Sequence, residues 1–93
     1  MKLRVALAQI NPTLGDLAGN ADLIARYVAA AQAEGAALVV FPEMVLTGYP
    51  VEDLALRPSF RSASIAAIAE LAQRLKLEGN GEITAVVGYL DQI

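Results

Sequence analysis

A carboxylate placed where an apolar strand gives way to a loop is a candidate proton acceptor, and Glu43 stands in such a place, two residues past the apolar run 37–41. Pro42 fixes its own φ and restricts Phe41 to extended geometry, so the chain leaves that run in a defined direction. The neighbours in sequence are Phe41, Met44, Val45, Leu46 and Tyr49, an apolar setting whose desolvation would suit a carboxylate to general-base work. Ligands of open α/β sheets bind in the crevice beyond the carboxyl ends of the strands, and Glu43 falls there. Position alone leaves a second reading open and slightly favours it, that of an acidic residue capping a helix or pairing with a base near a loop. Thr47, Gly48, Tyr49 and Pro50 read equally well as a turn with an aromatic plug. Glu52 and Asp53 suit a helix start, where the dipole favours negative charge.

The chain contains no Cys and no His. It therefore supplies no thiol nucleophile, no imidazole base, no disulfide and none of the soft ligands of a zinc site, and no metal is expected on it. Gly15, Gly19, Gly35 and Gly48 fit neither the G-x-G-x-x-G nor the P-loop spacing, which argues against a nucleotide cradle. Of the two lysines, Lys2 lies at the start of a strand pattern and Lys76 reads as a solvated helix residue.

The elements that must position Glu43 follow from hydrophobic periodicity. Over residues 3–10, Leu3, Val5 and Leu7 alternate with Arg4, Ala6 and Ala8, which predicts a strand with one strongly apolar face. Asn11, Pro12 and Gly15 mark a loop. Over residues 17–34, Leu17, Ala21, Ile24, Val28 and Ala31 recur at steps of three and four and predict a helix, with Asp16 or Asn20 as its cap and Gly35 as its end. Residues 37–41 predict a strand covered on both faces, joined to the first by a connection long enough for a right-handed crossover. Residues 42–50 form a loop, 51–56 a helical turn, and Pro58 opens a second helix carrying Ile65, Ile68, Ala72 and Leu75 on one side. That helix stops before Gly79, Asn80 and Gly81, and residues 83–90 form a third strand. The order β-α-β-α-β predicts an α/β fold with mostly parallel strands.

A chain of 93 residues that is 56% hydrophobic is more apolar than so small a body needs, so either it oligomerises or more chain covers it. Three parallel strands would leave two open edges and poorly covered faces, the mark of a cut domain. A homo-oligomer is expected. The net charge of −3, with seven scattered basic residues, argues against nucleic acid as a partner. No apolar run approaches the roughly 18 residues that span a bilayer and none reads as a signal peptide, so no membrane partner and a cytoplasmic location are expected.

The string Phe41, Pro42, Glu43, Met44, Val45, Leu46, Thr47, Gly48, Tyr49, Pro50 resembles the segment that carries the catalytic Glu in the carbon–nitrogen hydrolase (nitrilase) superfamily. The opening, Ala8, Gln9, Ile10, Asn11, Pro12 and then Gly15, Asp16 and Asn20, is similar to that family too. The run Tyr49, Pro50, Val51, Glu52, Asp53, Leu54, followed by Leu56, Arg57, Pro58 and Phe60, looks like the glutaminase domain of glutamine-dependent NAD synthetases.

The resemblance implies an α-β-β-α sandwich, of which residues 1–93 would be the amino-terminal part, truncated on its C-terminal side. It implies a Glu, Lys, Cys catalytic set acting on glutamine, in which Glu43 matches the Glu as general base; the Lys and Cys would lie in the missing C-terminal part of the same chain. Tyr49 falls near the glutamine pocket and is carried over as a substrate-binding residue. The released ammonia would pass to a synthetase domain that uses ATP and magnesium to amidate deamido-NAD, with no cofactor bound by the fragment itself. The fragment alone should be inactive. Two alternatives stay open: a stand-alone amidase or nitrilase of the same superfamily, acting on a small amide, and a non-catalytic α/β binding module.

Overall fold

The computed structural model describes residues 2–91. Met1, Gln92 and Ile93, which end the 1–93 assignment, lie outside the described residues. The elements are β1 (Val5–Leu7), α1 (Leu17–Ala33), β2 (Leu38–Val40), a 3₁₀ turn (Glu52–Leu56), α2 (Pro58–Leu77) and β3 (Thr84–Val86). The sheet order is β1-β2-β3, with both pairings parallel. The expected β-α-β-α-β order is therefore found, and Glu43 follows the central strand.

Local chemistry sets the helix ends. The Asp16 side chain accepts the Gly19 N–H at 2.9 Å, so Asp16 is the cap of α1 and Asn20 is not. Gly35 adopts φ +80 after α1, and the Ala36 N–H returns to the Ala31 carbonyl at 3.0 Å, satisfying a carbonyl that the helix itself leaves open. Pro58 opens α2, where its missing N–H costs nothing. Arg74 and Lys76 in its last turn complement the helix dipole. Arg74 also pairs with Asp22 on α1 and with Glu78 at 2.9 Å. Hydrogen bonds to these carboxylates raise its pKa, but the group is exposed and screened, so the pair adds little to stability.

Both helices pack on one face of the sheet and against each other, around Ile24, Val28, Val39, Val45 and Leu46, all fully buried. In this arrangement the strongly apolar face expected of β1 is the one left open. Ala6 and Ala8 point toward the helices, where α1 approaches closely through Val28 and Ala31, whereas Leu3, Val5 and Leu7 are 66%, 43% and 72% exposed. Small residues line the side where a helix must come near, and the large ones are left on the open side. For the same reason β2 is buried only at Val39; Leu38 and Val40 are half-buried, because no described element lies over the second face. Across that face the register sets Val5 beside Leu38 and Leu7 beside Val40, with Val40 beside Val86, which is 50% exposed. The result is a continuous, uncovered apolar surface.

The second helix keeps the expected period, with Ile65, Ile68 and Leu75 half-buried, and departs from the expected stripe at Ala72. Its buried residues are Ser64 and Leu71, joined by half-buried Ala67, Ile68 and Leu75, while Ala72 faces solvent. Ser64 is chosen over an apolar neighbour because its hydroxyl accepts the Leu90 N–H at 3.0 Å, tying α2 to the chain beyond β3. The strands are also shorter than expected: the outer parts of residues 3–10 and 83–90 run without regular pairing. Among the described residues no helix is long and apolar enough to cross a membrane. In urea unfolding, Ile24→Ala should lower stability by about 2–5 kcal/mol, and Ala72→Lys should change it by less than about 0.5 kcal/mol.

Candidate active site

The three parallel strands end at one rim, and the segments that leave them meet there. The ladder extends slightly past its formal ends, with the Ala8 N–H donating to the Val40 carbonyl at 2.9 Å and the Phe41 N–H to the Val86 carbonyl at 3.1 Å. Beyond Phe41 the chain coils tightly. Met44 takes the left-handed conformation at φ 58, Gly48 follows at φ 83, and the Gly48 N–H closes the turn on the Met44 carbonyl at 2.8 Å. A non-glycine residue in that region is held there by its surroundings. The Leu46 N–H donates to the Gly88 carbonyl at 3.2 Å, and the fully buried Thr47 hydroxyl lies 3.2 Å from the Met44 carbonyl and 3.1 Å from that of Gly48. The Tyr49–Pro50 peptide bond is cis.

Two loops form the walls of a cleft of about 300 Å³ at this rim, lined by Asn11 and Pro12 from one loop and Pro42, Glu43 and Tyr49 from the other. Glu43 and Tyr49, the two expected site residues, are thus brought together. Glu43 neither caps a helix nor joins either of the ion pairs among the described residues, which disposes of the capping and pairing reading. The expected apolar burial of Glu43 is not found, however. Phe41, Val45 and Leu46 turn their side chains down into the core, and Glu43 is exposed. Tyr49 is 71% exposed rather than plugging the turn. Adjacency in sequence misled because side chains on a tight turn point to opposite sides.

Asn11 and Pro12 were legible as loop residues and not as cleft lining. Asn20, a possible cap by sequence, does not cap α1. It lies only 2% exposed, and its carboxamide is fully engaged: Nδ2 donates to the Thr13 carbonyl at 2.8 Å and to the Leu46 carbonyl at 2.9 Å, and Oδ1 accepts the Thr13 N–H at 2.8 Å. A usable signal was present, since Asn20 sits at helical spacing from Leu17 and Ile24, a polar residue on an otherwise apolar stripe. At the far side of the rim the Tyr89 hydroxyl donates to Asp91 at 3.1 Å, which raises the phenol pKa. Lys2 and Lys76 take no part in the cleft. Among the described residues no group of three or more Asp, Glu, His or Cys could hold a metal ion.

The loops also touch backbone to backbone. The Gly15 N–H donates to the Thr47 carbonyl at 2.8 Å, and a Cβ added at Gly48 would lie 2.5 Å from Leu14 Cα. Gly88 is similarly tight, with an added Cβ 2.6 Å from the Met44 nitrogen. Gly48→Ala, which also meets a positive φ, should therefore destabilise the fold by at least about 1–3 kcal/mol in denaturant unfolding. Gly79→Ala, with the same sign of φ but open space around it, should cost less.

Residues 4–89 match the carbon-nitrogen hydrolase family. The chain is 42% identical to a glutamine-dependent NAD(+) synthetase of Thermotoga maritima over 90 residues, which is 97% of this chain and 15% of that protein. It is 47% identical over 74 residues to the enzyme of the same description from Rhodobacter capsulatus, 80% of this chain and 13% of that one. The crystal structure of a glutamine-dependent NAD(+) synthetase from Cytophaga hutchinsonii superposes on all of this chain with a TM-score of 0.86 at 26% identity, over 15% of its own length. The chain thus spans about 15% of the length of the relatives it matches. With its parallel sheet, its helices on one face and its matched span from Arg4 to Tyr89, the chain belongs to the carbon–nitrogen hydrolase family.

Proposed function

We propose that this chain is the amino-terminal layer of a glutaminase domain that feeds ammonia to NAD synthesis, with Glu43 as its general base. The observation that carries the reading is the place of Glu43: at the C-terminal end of the central strand, on a turn fixed by buried hydrogen bonds, facing a cleft with Tyr49. Similarity to glutamine-dependent NAD synthetases over nearly the whole chain favours glutamine over another small amide, and the matched family favours an enzyme over a binding module.

In this reading a Cys thiol, contributed by polypeptide outside this chain, loses its proton to Glu43 and attacks the side-chain amide carbon of glutamine. A Lys, also from outside, steadies the oxyanion. The proton held by Glu43 passes to the departing nitrogen, ammonia leaves, and water, deprotonated by the same carboxylate, hydrolyses the thioester to glutamate. Tyr49 borders the substrate side of the cleft. The second layer of an α-β-β-α sandwich covers the open face of Val5, Leu7, Val40 and Val86, and its arrival withdraws Glu43 from bulk water. ATP and magnesium are assigned to a synthetase domain outside this chain, in line with the similarity to glutamine-dependent NAD synthetases. A homo-oligomer in the cytoplasm completes the proposal.

Glu43→Gln in the full-length protein should reduce glutamine-driven NAD formation by about 10²–10⁴-fold, the usual contribution of a positioned base. Turnover driven by added ammonium should persist. Glutamine-driven turnover at the wild-type rate would overturn the assignment. The 93-residue chain alone should release no ammonia from glutamine, since it holds no thiol.

A further inference from the structure

We propose that Asn20 is a positioning residue for this site: its buried carboxamide sets the spacing between the two walls of the cleft and so holds Glu43 in reach of substrate. The proposal rests on the reading of Glu43 as the base and adds the means by which the turn presenting that base is held in place.

Asn20 lies in the first turns of α1, 2% exposed, among the apolar residues that face the sheet. A residue there needs only to be apolar to stabilise the helix packing, so a carboxamide whose every bond goes to a loop serves the loops. One wall of the cleft is held through Thr13, next after Pro12, by a bond in each direction: Thr13 N–H to Oδ1 and Nδ2 to Thr13 carbonyl, both 2.8 Å. The other wall is held through the Leu46 carbonyl at 2.9 Å, and Leu46 lies midway between Glu43 and Tyr49 in the chain. The neighbouring Gly15 to Thr47 bond joins the loops only to each other. Asn20 fastens both to α1, and through α1 to the core.

Both Asn20 partners are backbone groups, so no change of side chain in the loops compensates for its loss. In Asn20→Asp the carboxylate still accepts from Thr13 but faces two carbonyl oxygens that it cannot donate to. In Asn20→Ala all three bonds vanish and a small void replaces them. A misplacement of the order of 1 Å at a reacting group costs about 100-fold in rate, so kcat for glutamine should fall by about 10- to 100-fold in each variant, with a smaller change in KM.

The experiment uses the full-length protein and measures glutamine-driven kcat and KM across pH, with ammonium-driven turnover as the internal check on folding. Support takes the form of a lowered glutamine kcat with ammonium-driven turnover kept. For Asn20→Asp the activity relative to wild type should recover as pH falls, because the protonated acid regains a donor toward Leu46; for Asn20→Ala the ratio should stay flat. Glutamine kcat near wild type in both variants, or a parallel loss of ammonium-driven turnover in both, would overturn the proposal. Glu43→Gln is run alongside. Should that variant keep its glutamine turnover, the base reading fails; should it lose turnover while both Asn20 variants keep theirs, only the positioning role fails.

Discussion

Backbone groups that leave a parallel sheet at its rim lose their ladder partners, and when they are buried they must be satisfied by something else. In this chain one side chain, the carboxamide of Asn20, meets that need for two loops at once, supplying donors to the Thr13 and Leu46 carbonyls and an acceptor to the Thr13 N–H. The turn that carries Glu43 depends on it. Met44 is held at positive φ, Gly48 lies against Thr13 and Leu14, and Gly88 lies against Met44; these close fits require the segments at the rim to keep one fixed separation from one another. A hydrogen bond of this kind contributes only about 0.5–1.5 kcal/mol net, but leaving the buried Leu46 carbonyl unpaired costs about 1–3 kcal/mol. The geometry is therefore defended by the cost of breaking it rather than by its own strength.

The sheet is two-sided in character. One side is a closed core of small and branched residues under two helices; the other shows Leu3, Val5, Leu7 and Val86 to solvent. A parallel sheet is ordinarily covered on both faces, because its strands carry apolar residues on each. The open face and the exposed Glu43 are two aspects of the same condition. The helices that bury the first face do nothing for the rim, and the carboxylate there is left in contact with water.

The elements were legible in the sequence wherever a period extended over several turns. The stripe of Leu17, Ala21, Ile24, Val28 and Ala31 is long enough to define both a helix and its buried side, and Asp16 and Gly35 bracket it as caps do. Over the second helix the period was again legible and held at Ile65, Ile68 and Leu75, but Leu71 rather than Ala72 is the buried member of the stripe, selected by contact with α1. In β1 alternation identified a strand, while the choice of inner face went to Ala6 and Ala8 because a helix approaching closely needs small residues beneath it.

By itself the sequence determined the order of elements, the parallel sheet, the placing of Glu43 beyond the central strand and the family to which its surrounding string belongs, since these depend on local periodicity, proline restriction and residue type. The tertiary structure alone decided which side of β1 is buried, that Leu71 rather than Ala72 joins the core, that Asn20 joins two loops rather than capping a helix, and that Asn11 and Pro12 face Glu43 across a cleft. Those outcomes depend on distances between segments remote in the chain, about thirty residues apart across the cleft, and no local pattern encodes a distance of that kind.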